Sequence, residues 1–99
     1  MKHLISIEDL SKSDIIKILD KSEEFEYVAL GKKSLDILRG KILANLFFEP
    51  STRTRISFEC AMKRLGGEVI NVSTQEASSM AKGETLADTI RVVSNYCDV

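Results

Sequence analysis

From residue 11 onward, hydrophobic and polar positions fall into two alternating patterns. Ile15, Ile18, Leu19, Ser22, Phe25 and Ala29 recur at the three-and-four spacing of a helix face. Ser11 stands at the capping position, Asp14 follows at the third helical position, and Gly31 is a natural stop. Residues 6–10 read as a short turn ahead of this helix. Lys17, Lys21, Glu23, Glu24 and Glu26 fall off the stripe as a solvated face, and the stripe itself is expected to pack on a core. Residues 31–34 are a linker. Leu35 and Leu38 then cover a core edge before Arg39-Gly40 turns the chain.

The second pattern is continuous rather than periodic. Residues 41–48 are nearly all apolar, which predicts a strand buried on both faces, the usual state in a parallel sheet. Pro50 cannot extend a central strand, so the run stops before it. Helical spacing returns over about residues 52–65, with Phe58, Ala61, Met62 and Leu65 as the expected buried stripe and Gly66-Gly67 as the terminator. Residues 68–73 read as a second strand and 74–84 as a loop. Thr85 caps a further helix, with Asp88 at its third position and Leu86, Ile90, Val93 and Cys97 along its stripe. Asp98-Val99 approaches a third strand. The order predicts an α/β fold: a parallel sheet wound with right-handed βαβ crossovers.

Composition adds few constraints. The 99 residues are 43% apolar and 29% charged, as in an ordinary globular chain, and suffice for one small domain or part of a larger one. A net charge of −1 argues against a nucleic-acid partner held by bulk electrostatics, so any anion site must be local. No apolar run approaches the roughly 18 residues of a membrane span, and the N-terminus lacks a signal-peptide core. A cytoplasmic location without membrane attachment is therefore expected. Cys60 and Cys97 have no metal-ligand spacing and are expected to be small buried hydrophobes. His3, the only histidine, lies near a terminus, so this chain cannot build a histidine-based catalytic pair.

The candidate chemistry sits where the first strand gives way to a helix, at Phe47-Phe48-Glu49-Pro50-Ser51-Thr52-Arg53-Thr54-Arg55-Ile56-Ser57-Phe58. The first amides of a helix have no intrahelical partner, and the helix dipole places partial positive charge at the same end. A phosphate suits such a place. Arg53 would add a planar fork of donors, and the hydroxyls of Ser51, Thr52 and Thr54 would complete the cage. Arg53 and Arg55 are two positions apart and leave the helix on different sides. Arg53 is assigned to the anion, and Arg55 to bracing the fold by pairing with Glu59. The plainer alternative is an ordinary Ser51 cap beside solvated arginines. The spaced glycines and Gly-Lys-Ser/Thr of a nucleotide P-loop are absent from the sequence. The loop after the second strand carries Ser78 and Lys82, read either as functional or as a solvated lysine on a long loop. Both segments follow strand carboxyl ends, and ligands of parallel sheets lie beyond that rim.

The string around Ser51-Thr52-Arg53-Thr54-Arg55 resembles the carbamoyl-phosphate signature of the aspartate/ornithine carbamoyltransferases. Ser78-Ser79-Met80-Ala81-Lys82-Gly83-Glu84-Thr85-Leu86-Ala87-Asp88-Thr89 is similar to the aspartate branch, where the ornithine branch carries an arginine-bearing loop. The resemblance runs from Met1 to Val99. It implies that residues 1–99 are a partial carbamoyl-phosphate-binding domain, from the N-terminal portion of a catalytic chain. Such enzymes join carbamoyl phosphate to L-aspartate, giving N-carbamoyl-L-aspartate and phosphate, an early step of pyrimidine synthesis, with no metal or organic cofactor. By carry-over, Ser51, Thr52, Arg53, Thr54 and Ser78 bind carbamoyl phosphate. Arg53, Thr54 and Lys82 are catalytic, and Lys82 also meets L-aspartate. Family members form homotrimers in which Ser78 and Lys82 reach a neighbouring subunit's site, and regulatory chains are further partners. Family members run to about three times this length. The remainder supplies another arginine, a histidine, a glutamine and the aspartate-binding domain, so the 99-residue chain alone is expected to be inactive. The alternatives are an ornithine or related carbamoyltransferase, and a non-catalytic phosphate-binding or assembly module that would give no saturable response to carbamoyl phosphate.

Overall fold

The computed structural model describes residues 2–72 and 85–99. The chain divides into two compact units, Met1–Lys33 and Ser34–Val99. In the first, a 3-10 turn at Ile7–Asp9 is capped by Ser6, whose Oγ accepts from the Glu8 amide at 3.2 Å. Helix α1 (Lys12–Glu24) begins with the expected reciprocal cap. The Asp14 amide donates to Ser11 Oγ at 3.1 Å, and the Ser11 amide donates to Asp14 Oδ2 at 3.0 Å. These bonds favour the Asp14 carboxylate and hold its pKa below the usual range.

The single helix predicted here is interrupted. At Phe25 the amide is shared between the carbonyls of Lys21 and Ser22, at 3.3 and 3.2 Å, and α2 (Glu26–Ala29) restarts beyond it. Glu23, Glu24 and Glu26 crowd the negative end of the α1 dipole, which opposes continuation. Gly31 stops α2 as expected: its amide bonds the Val28 carbonyl at 3.0 Å, and Lys32 bonds Tyr27 at 2.9 Å. Val28 is buried, but Ile18 and Leu19, expected on a core face, are exposed.

The second unit carries the parallel pair. Strand β1 (Ile42–Leu46) runs beside β2 (Glu68–Val72) in the register Ile42↔Glu68 to Leu46↔Val72. β1 ends two residues earlier than the apolar run suggests, because the chain already bends at Phe48 and Glu49 ahead of Pro50. On the other side of β1 the anticipated third strand begins. Val99 accepts from the Ala44 amide at 2.8 Å and donates to the Ile42 carbonyl at 3.2 Å, the parallel pattern. Asp98 locks this edge by accepting from the Ile42 amide at 2.9 Å.

Helix α3 (Thr52–Arg64) connects the two strands, and α4 (Leu86–Ser94) follows β2. Thr85 caps α4 through the Asp88 amide at 3.1 Å, as the sequence predicts. The buried stripe of α3 is narrower than expected. Met62 is buried and Leu65 half-buried, whereas Phe58 and Ala61 are exposed. Phe58 shares the side of Met62 and Leu65 but lies one turn earlier, and it remains exposed. On α4, Leu86 and Ile90 are likewise exposed, with Val93 and Cys97 half-buried. Cys60 is exposed rather than buried, because its position on α3 is off the sheet-facing side.

The far end of α3 is tightly closed. Gly66 has φ +91°, and its amide bonds the Lys63 carbonyl at 3.1 Å, while Gly67 bonds Met62 at 3.0 Å. Residues 35–38 dock here, the Leu35 and Leu38 amides donating to the Arg64 and Leu65 carbonyls at 3.2 and 2.9 Å. A Cβ on Gly66 would lie 3.0 Å from the Asp36 Cα and 3.3 Å from the Leu35 carbonyl oxygen. One on Gly40, which shares the left-handed backbone, meets nothing within 4 Å. Gly66→Ala is therefore expected to cost well over the ~1 kcal/mol of left-handed backbone strain, and Gly40→Ala only that strain. Denaturant midpoints of the two variants check the difference.

Candidate functional site

The site is built at the start of α3. Parallel pairing brings Leu46 beside Val72, so the chain leaves β1 and β2 at the same edge of the sheet. From that edge residues 47–50 lead to Ser51, the capping position of α3. Its carbonyl accepts from the Arg55 amide at 2.9 Å and so opens the helix. Its hydroxyl makes no capping bond: φ −151° and ψ 65° take the side chain out of reach of the following amides. The ordinary cap that the sequence allows is thus not formed.

This sets α3 apart from the other two long helices. α1 and α4 each have a side-chain cap and an acid in the first turn, Asp14 and Asp88. α3 has neither, and its first turn reads Thr52-Arg53-Thr54. Among the described residues, the amides of this turn have no acceptor. The first turn thus holds no acid of its own to offset the positive end of the helix. Ser51, Thr52 and Arg53 line an open depression there, with exposed Thr54 next along the turn.

Arg55 pairs with Glu59 as expected. Arg55 NH1 lies 3.8 Å from Glu59 Oε1, one turn along the helix. Arg53 forms no ion pair or hydrogen bond among the described residues. Its fork of donors is therefore available at the depression. Ser78 and Lys82 fall outside the described residues.

Sequence reasoning missed the polar cluster beneath α3. Asn45, only 4% exposed, donates from Nδ2 to the Arg55 carbonyl at 2.9 Å and to Asn71 Oδ1 at 3.2 Å. Asn71, its register partner on β2, donates to the Glu59 carboxylate, which also lies 3.6 Å from Lys63 Nζ. The available signal was an asparagine at matching positions in both strands, in runs otherwise dominated by apolar residues. The Asn71 hydrogen bond, then Lys63 and Arg55, hold the Glu59 pKa below the usual glutamate range. A lowered carboxylate pKa favours the folded state above the unfolded value of about 4.3, and this contribution fades as pH falls through the lower folded value. The Glu59 carboxyl carbon, followed by NMR, is expected to titrate below its ordinary midpoint and to move back up in Asn71→Ala.

Residues 2–99 match the aspartate/ornithine carbamoyltransferase family across its carbamoyl-P binding domain. The chain belongs to that family. Its identity with the aspartate carbamoyltransferase catalytic subunit of Archaeoglobus fulgidus is 76% over 98 residues, covering 99% of this chain and 33% of that one. Among solved structures, the catalytic subunit of the Methanocaldococcus jannaschii aspartate transcarbamoylase superposes with a TM-score of 0.88 at 58% identity, over 99% of this chain and 32% of that one. The Trypanosoma cruzi aspartate transcarbamoylase in complex with N-(phosphonacetyl)-L-aspartic acid gives 0.84 at 44% identity, over 98% and 31%. The chain thus spans about a third of the length of the carbamoyltransferases it matches. The α/β reading and the family resemblance both hold, and the helix-start string falls within the matched carbamoyl-P binding domain.

Proposed function

We propose that residues 1–99 form the carbamoyl-phosphate-binding part of an aspartate carbamoyltransferase catalytic chain. The observation that carries this reading is the α3 start: a helix end with no side-chain cap and no acid in its first turn, beside an Arg53 guanidinium that has no partner among the described residues. The reaction releases a phosphate dianion, and this end supplies positive charge where that charge develops. The aspartate amine attacks the carbamoyl carbon, a tetrahedral intermediate forms, and the carbon–oxygen bond to phosphate breaks as a proton of the amine passes to the departing phosphate. The amides of Thr52, Arg53 and Thr54 and the hydroxyls of Ser51 and Thr52 bind the phosphate oxygens. Arg53 neutralises the leaving group, and Thr54 lies by the carbonyl oxygen. Donors fixed in advance need no reorganisation as charge builds, the usual source of large electrostatic catalysis.

In this reading the catalytic chain is a homotrimer, and Ser78 and Lys82 of one subunit complete the site of the next. Lys82 adds positive charge between phosphate and L-aspartate. The acceptor is aspartate, as the Ser78–Thr89 sequence favours. The test is a transfer assay on the full-length catalytic chain with aspartate and ornithine as competing acceptors. Carbamoyl-aspartate as the product supports the proposal, and carbamoyl-ornithine or no transfer contradicts it. The 99-residue chain alone is expected to give no product.

A further inference from the structure

Two asparagines in adjacent short strands are an expensive choice on local grounds. Asparagine is a poor strand former, and a buried amide costs stability unless hydrogen-bonded. Asn45 is buried within β1, between the apolar Ala44 and Leu46. Both of its Nδ2 contacts lead toward α3, one directly to the Arg55 carbonyl and one through Asn71 to Glu59. Arg55 and Glu59 are one turn apart, so the sheet holds the helix at two points along one face. Apolar packing around Met62 resists separation of helix and sheet but has no direction. Two directional bonds a turn apart also fix how the helix is rotated about its axis.

That rotation matters at the helix start. Arg55 directly follows Thr54, and its carbonyl is held 2.9 Å from Asn45. Fixing this peptide fixes the direction of the Thr52–Thr54 amides and the side from which Arg53 departs. The same chain of contacts holds Glu59 against Arg55, keeping the second guanidinium off the depression. We propose that Asn45, acting with Asn71, is a positioning residue of the anion site: it sets the rotation of α3 so that free amides and Arg53 converge on one phosphate. This rests on the carbamoyl-phosphate reading above and deepens it.

The test uses the full-length catalytic chain with inorganic phosphate as the probe. Asn45→Val/Asn71→Val replaces both asparagines with strand-forming apolar residues; it removes the bond between them and also their bonds to the Arg55 carbonyl and to Glu59, so some loss of stability is expected. The expected result, measured well below the variant's own melting temperature, is a phosphate inhibition constant raised about tenfold or more and a fall in kcat of similar size. A purely structural pair would move the melting temperature and leave the inhibition constant alone. Parent-like kcat and phosphate inhibition in the double variant overturn the proposal. If that variant does not fold, exposed Asn71→Ala decides. A severalfold weaker phosphate inhibition in the folded variant supports the positioning role, and unchanged inhibition overturns it. Arg53→Ala run alongside separates this from the underlying reading, since full activity there removes the anion site itself, whatever the asparagines do.

Discussion

Arg53→Ala in the full-length catalytic chain is expected to lower kcat by about a thousandfold or more. The guanidinium has no competing partner among the described residues and stands at the end of a helix with no acid in its first turn. A charge-assisted hydrogen bond contributes roughly 1.5–3 kcal/mol when desolvated. Losing two or three of these as the leaving phosphate gains charge corresponds to about three orders of magnitude or more in rate. The neighbouring arginine gives the control. Arg55 is engaged with Glu59 at 3.8 Å, so Arg55→Ala removes a brace rather than a ligand. Its effect on kcat should be far smaller, and its effect on phosphate inhibition smaller still. Steady-state kinetics on both variants measure the contrast, and equal losses would show that the two guanidinium groups are not divided as described.

The second large effect concerns Lys82. If it completes a neighbouring subunit's site, Arg53→Ala and Lys82→Ala damage opposite halves of each shared site. Each variant alone should be nearly inactive. In an equal random mixture, a site is intact when one subunit keeps Arg53 and the next keeps Lys82, so about a quarter of sites recover in a closed ring of identical contacts. Dissociating and reassociating the two inactive proteins together is expected to restore activity to that level. No recovery on mixing would place Arg53 and Lys82 in the same subunit's site.

The parts of this fold that the sequence made legible are those set over a few neighbouring residues. The Ser11–Asp14 cap is a reciprocal pair of local bonds, and Thr85 with Asp88 is another cap that four residues settle. Parallel pairing of β1 and β2 followed from a continuous apolar run and the helix-length crossover between them. Val99 beginning a third parallel partner for β1 followed from the same winding. Burial was less legible, because it depends on what covers a face. Phe58, Leu86 and Ile90 have helical spacing but remain exposed. The break at Phe25 was hidden because the stripe continues through it while the acids crowding the helix end oppose it.

At the site, the string from Ser51 to Arg55 pointed to the helix start proposed to bind the anion, and the pairing of Arg55 with Glu59 followed from its spacing. What spacing could not reveal was that Ser51 leaves its hydroxyl uncommitted, since that depends on a backbone conformation set by the bend before it. Nor could it reveal that Asn45 reaches through to the Arg55 carbonyl, a contact that exists only once strand and helix are packed.

In the proposed function the start of α3 and Arg53 act together on a dianion. A crystal structure of the full-length chain with N-(phosphonacetyl)-L-aspartic acid tests it directly. The phosphonate is predicted to sit on the amides of Thr52, Arg53 and Thr54, with the Arg53 guanidinium on its oxygens and Arg55 still on Glu59. A phosphonate bound elsewhere, or Arg53 turned to solvent beside an occupied site, would contradict it.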